Sequence, residues 1–149
     1  MKVAAFVCVS LVCLGAPRTY LTREQALEEV WGESEVTTSQ KSDHTFYSSA
    51  NSKDKSSASF YTKKVRSKSQ TIMVHFAEDG TILDVVLCKF KEPVRYKPSE
   101  KWLKQFDGKK LNDDLRLKRD IDGISGATLT ARATVSSVRT ILAAYHAEE

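Results

Sequence analysis

Cysteine is scarce in this chain, with three in 149 residues. Cys8 and Cys13 fall in one N-terminal apolar run, which leaves Cys88 alone in the remainder. A lone cysteine excludes an internal disulfide. With no Cys-x-x-Cys-His and no cysteine cluster, haem attachment and iron–sulfur ligation are excluded too. His44, His75 and His146 are the only histidines and are far apart. They lack metal-ligand spacing, and a structural role is expected for each. No Ser-His-Asp or paired-carboxylate arrangement is legible. Charge of one sign is also lacking: 23 basic residues stand against 19 acidic ones, a net of +4. The basic residues are scattered rather than banded, so a nucleic-acid partner is not expected.

Long hydrophobic runs are missing as well. The longest, Val3 to Gly15, is broken by Ser10 and falls short of the roughly 20 apolar residues of a membrane span. Preceded by Met1-Lys2 and followed by Ala16-Pro17-Arg18, it reads as a signal peptide over residues 1–16, cut near Gly15 or Ala16. Pro17 leaves the exact bond open. The expected location is periplasmic or secreted, the alternative being an uncleaved N-terminal membrane anchor. Cleavage removes Lys2 and takes the net charge from +4 to +3. Residues 20–149 then form a single domain of ordinary globular composition, 41% hydrophobic and 28% charged. The sequence shows no internal repeat.

Within that domain, Thr22-Arg23-Glu24-Gln25 is a capping box opening a helix that carries Ala26, Leu27, Val30 and Trp31 inward and stops at Gly32. Val36 to Tyr61 is polar, with strands expected around Thr45-Phe46-Tyr47 and Ser59-Phe60-Tyr61 and a loop at 51–57. Ile72, Val74 and Phe76 alternate with Thr71, Met73 and His75, and Met73 and His75 are expected to be partly exposed. Asp79-Gly80 signals a hairpin into the apolar run 81–90, which places Cys88 as a buried, inert thiol. Ser99 caps a short helix with Trp102, Leu103 and Phe106 inward. Leu111, Leu115 and Leu117 anchor a charged segment. Val135, Val138, Ile141, Leu142 and Tyr145 form the stripe of a C-terminal helix, with Arg132, Ser136 and Arg139 facing away. The fold class is α+β: a mainly antiparallel sheet with a β-hairpin and a packed C-terminal helix.

One segment carries chemistry. In Asp122-Gly123-Ile124-Ser125-Gly126-Ala127-Thr128, two glycines make a tight turn and a hydroxyl stands where the turn feeds the helix. A helix start is an anion site, because its first N–H groups are unpaired and its dipole is positive there. The spacing fits neither the G-x-G-x-x-G fingerprint nor a Walker phosphate loop. Spacing alone leaves a plain turn and helix cap open.

The run Asp-Gly-Ile-Ser-Gly-Ala-Thr-Leu-Thr, residues 122–130, resembles the flavinylation motif of the FMN-binding domain family. That family includes flavin subunits of sodium-pumping NADH:quinone reductases and of the related Rnf complex, and small secreted flavoproteins. The hairpin, Trp102-x-x-Gln105-Phe106-x-Gly108-Lys109, the motif and the final helix also follow in the family's order, over roughly residues 70 to 145. The resemblance implies FMN held covalently through a phosphoester to Thr128. Ser125, Gly126 and Ala127 would form the turn that presents Thr128, and Asp122 would be read by the modifying enzyme. Ser125 and the N–H groups of Gly126 and Ala127 would donate to the phosphate. Glu92 matches a ring-side glutamate, although the glycine that relatives carry nearby is absent from Lys91 to Tyr96.

A threonine hydroxyl without an adjacent base does not modify itself, so a flavin transferase is the expected maturation partner. The expected function is electron transfer between a membrane or soluble redox partner and a downstream acceptor, more a carrier than a free-standing enzyme. A flavin component of a multi-subunit reductase and a non-flavinylated binding module of the same fold are the alternatives.

Overall fold

The computed structural model describes residues 20–147 apart from 52 and 54, so the expected signal segment lies outside the described residues. Thr22 caps α1 (Arg23–Trp31), with both bonds of the capping box formed: the Gln25 N–H donates to Thr22 Oγ1 and the Thr22 N–H to Gln25 Oε1. Five strands follow: β1 (Val36–Lys41), β2 (His44–Ser49), β3 (Ser57–Lys64), β4 (Ser69–Phe76) and β5 (Ile82–Phe90). They form one antiparallel sheet in sequence order, each strand pairing with the next. A 3-10 turn (Val94–Tyr96), the short α2 (Glu100–Leu103) with its 3-10 extension (Lys104–Phe106), and α3 (Thr128–His146) complete an α+β fold. Among the described residues no helix is long and apolar enough to cross a membrane.

The expected hairpin and C-terminal helix are present. Gly80 sits at the β4–β5 tip with φ +79°, and a Cβ there would run into the His146 ring. The 99–106 segment is capped as expected, with the Trp102 N–H donating to Ser99 Oγ. Cys88 is buried, and desolvation pushes its thiol up to about 12, as an inert core residue should be.

Two expectations need correction. Val36–Lys41 is a strand, not part of a polar connection. Its Thr37, Thr38, Ser39 and Gln40 are all exposed at the sheet edge, so no apolar alternation marks it. The two-residue turn into β2 is made by Ser42, at φ +49°, and Asp43 without the Gly that usually announces such a hairpin.

Met73 is also fully buried rather than partly exposed. Both faces of the sheet are covered. Ile72, Val74 and Phe76 point to α3, where Val138, Ile141 and Leu142 meet them together with Phe106, Leu115 and Ile121. Met73, Ala58 and Cys88 point the other way, under Ala26 and Leu27 of α1. His75 shares that face with its ring edge-on to Trp31 at 5.6 Å and is half-buried; burial lowers its pKa, against the pull of Asp84. Each large side chain sealed this way contributes about 1.5–3 kcal/mol, which is why the faces and not the hydrogen-bond ladders fix the register.

Candidate functional site

The chain reaches the motif through a held backbone. Ile121 is fully buried and forms a bridge with Leu117. At Asp122 two side chains from the α2 segment grip the main chain: Trp102 Nε1 donates to the Asp122 carbonyl at 2.9 Å, and the Asp122 N–H donates to Gln105 Oε1 at 2.9 Å. The Asp122 residue itself is exposed. The Trp-x-x-Gln spacing therefore serves as a clamp on the motif, a role sequence order alone did not reveal.

The turn itself runs from Ile124 to Ala127, closed by the Ala127 N–H donating to the Ile124 carbonyl at 3.0 Å. Gly126 takes φ +73°, the conformation that the third position of a type II turn demands. Ser125 and Gly126 are exposed, and Ala127 is buried as the residue before α3. The Ala127 N–H, expected to face a phosphate, is thus spent on closing the turn. The donors that remain at the helix start are those of Thr128, Leu129 and Thr130, because the first intrahelical bond is from the Ala131 N–H to the Ala127 carbonyl. The Gly126 N–H is not used by the turn either. Alanine at the cap position offers them no side-chain oxygen.

Two hydroxyls follow, and the fold separates them. Thr128 is exposed at the first helical position, whereas Thr130 is 1% exposed. A buried chain of bonds fixes this turn to the sheet. Gln70 Nε2 donates to Thr134 Oγ1 at 2.9 Å, and Thr134 Oγ1 donates to the Thr130 carbonyl at 3.0 Å. Small residues on this face, Ala131, Ala133 and Ser137, keep α3 close to β3 and β4.

Thr128 stands between two clefts. One, of about 300 Å³, is walled by the motif's own residues 126–130 and, opposite them, by Val65, Arg66, Glu92 and Tyr96. The other, of about 800 Å³, is an open groove between α3 and the 111–118 segment. It includes Arg132, which is exposed as expected, and Arg139, which was expected to face away. Arg139 in fact reaches across to the carbonyls of Asn112 and Leu115 at 2.6 and 3.2 Å.

Glu92 comes to the smaller cleft from the end of β5, but its oxygen has other work. Oε1 accepts the N–H groups of Arg66, Ser67 and Lys68 at 3.1, 2.9 and 2.7 Å, which folds the β3–β4 turn around it. The Lys68 N–H does most to hold the carboxyl below its ordinary range; burial opposes it, and the Ser67 and Arg66 N–H groups and the Lys68 charge add to it. Tyr96 is partly buried, with the Arg95 guanidinium 4.7 Å over its ring. It occupies the stretch where a glycine was missing, and no sequence signal marked it.

A model of the FMN-binding domain matches residues 67–143, just over half of the chain. The chain belongs to the FMN-binding domain family. The matched stretch begins in the turn over Glu92 and ends in the last third of α3, so it holds the hairpin, the clamp, the motif and most of the cleft wall, and leaves out α1, β1, β2, β3 and the cleft residues Val65 and Arg66. No curated protein matches the chain. The site fits the group that the family binds: an uncapped helix start offers N–H groups to a phosphate, an exposed hydroxyl stands beside them, and the cleft next to it has apolar Val65 and Leu129 and an aromatic ring in its wall.

Proposed function

We propose that this domain carries FMN covalently, through a phosphoester to Thr128 Oγ1, and works as an exported electron carrier. The observation that carries the reading is the exposed Thr128 hydroxyl at an uncapped helix start, on the lip of a cleft walled by the motif itself. Among the described residues no base is hydrogen-bonded to that hydroxyl, so a separate flavin transferase makes the bond. Thr130 is too buried to compete. Gly126 and Ser125 hold the turn open to the transferase, and the Trp102–Gln105 clamp presents Asp122 to it. FMN, when bound, supplies exchange of one or two electrons. The chain's own part would be to tether it at Thr128, to offer helix-start N–H groups to the phosphate, worth about 0.3–1 kcal/mol at an exposed site, and to offer the cleft wall of Tyr96 and Val65 to the rest of the group. A tether has a clear use beyond the cell membrane, where free cofactor would diffuse away. A membrane or soluble redox protein then supplies and removes the electrons.

The test is the intact mass of protein co-produced with an active flavin transferase. The expected gain is FMN less one water on the peptide holding Thr128, lost in Thr128→Ala and kept in Thr130→Ala. An unmodified mass, with the transferase active on a control target, would leave a binding module and a plain helix cap.

A further inference from the structure

The rim of the smaller cleft has a composition of its own. Val94 is 72% exposed and Leu129 46%, two of four large apolar side chains so placed among the described residues. Leu129 lines the cleft directly, and Val94 shares its 3-10 turn with Tyr96, which also lines it. Cations stand at the cleft and beside its lining residues in the chain. Arg66 lines the cleft, Arg95 lies over the Tyr96 ring, and Lys91 and Lys68 flank Glu92 in sequence and in the turn that it holds. All four are exposed, and none forms an ion pair among the described residues. The one carboxylate in their midst, Glu92, is buried beneath three N–H donors. In the sequence, Lys63 to Lys68 is a basic run that reads either as a dock for an acidic partner or, more simply, as a solvated strand end. The fold turns it, through Glu92, to the mouth of the cleft beside Thr128.

We propose that this rim is the docking face for an acidic redox protein, with Val94 and Leu129 at its centre and Arg66, Lys91 and Arg95 around them. The proposal rests on the flavin reading for its purpose, and on charge complementarity for the partner's chemistry. Small apolar centres with charged rims suit brief encounters that bury little area. Such a contact brings the partner's redox centre to the cleft that holds the ring. In the step served, the two electrons of reduced flavin pass singly to two one-electron acceptors, and its protons leave to water. An anionic membrane is the competing surface. The rim is less suited to it, because only two apolar side chains project, one from a 3-10 turn and one from the first turn of α3, whose own apolar stripe is buried against the sheet.

Docking is tested first on the full chain carrying Thr128→Ala, so that flavin loading plays no part. Reduced plastocyanin, acidic beside its copper, is titrated in and amide NMR shifts are followed. The expected shifts lie in residues 65–68, 91–96 and 129. They are present at about 0.01 M salt, where charges act over about 30 Å, and gone at about 1 M, where they act over about 3 Å. Arg66→Glu with Arg95→Glu abolishes them. Lys53→Glu with Lys55→Glu, the same charge change at the other end of β3, leaves them.

On the loaded chain, the first pair slows oxidation by cupric plastocyanin about tenfold or more and speeds oxidation by basic cytochrome c. Shifts elsewhere, equal loss in both pairs, equal response to cytochrome c, or binding to anionic vesicles but not to plastocyanin would overturn the proposal. A chain that takes no flavin yet shows the mapped shifts would refute the flavin reading and leave the docking face standing.

Discussion

Replacing Thr134 by valine tests how the first turn of α3 is held. The change keeps shape and removes one hydroxyl from a site where Thr134 is fully buried and Gln70 is 1% exposed. Gln70 Nε2 then loses its acceptor at 2.9 Å, and the amide is left with no water to turn to. A buried donor stranded in this way costs about 1–3 kcal/mol, more than the net worth of the bond, because its desolvation is no longer offset. In urea, with a slope of about 1–3 kcal/mol per molar, the midpoint should fall by roughly 1 M without a change in slope. The double variant Gln70→Leu, Thr134→Val removes the stranded amide too, along with Gln70 Oε1, which already lacks a partner. It should therefore be more stable than Thr134→Val alone, giving a favourable coupling in a double-mutant cycle. Amide exchange at the start of α3 should quicken in the single variant. A double variant as unstable as the single one, or less stable, would refute the argument; losses of the two single variants that simply add would show that the two side chains act independently.

Other outcomes follow from the same contacts. Because the folded pKa of Glu92 is lowered, its contribution is present in full above the ordinary carboxylate value of about 4.3 and is lost as pH falls through the lower folded value. The advantage of wild type over Glu92→Gln in thermal melts should be constant above about pH 5 and shrink in acid. Trp102→Phe removes the bond to the Asp122 carbonyl and should cost about 0.5–1.5 kcal/mol in urea unfolding, with slower flavin transfer in a timed mass assay. Gly126→Ala meets no neighbour but must hold φ +73°, so it should lose about 1–2 kcal/mol through the turn alone; a neutral result would show that the turn relaxes freely.

Much of this protein was legible in one dimension. The capping box at Thr22, the Asp79-Gly80 turn, the Ser99 cap and the stripe from Val135 to Tyr145 are local or periodic signals, and each folds as its residues dictate. The motif at 122–128 is likewise contiguous, so its turn and its exposed threonine could be read directly. What the chain concealed is long-range. β1 is polar because it is an edge, and Met73 is buried because α1 arrives from elsewhere to cover it. Glu92 holds a turn some 25 residues before it in sequence. The grip of Trp102 and Gln105 on Asp122 spans a similar gap. Local sequence fixes which conformations a segment prefers and which chemistry it carries. Only packing decides which segments meet, and it is that meeting which puts a cleft and a cationic rim beside Thr128.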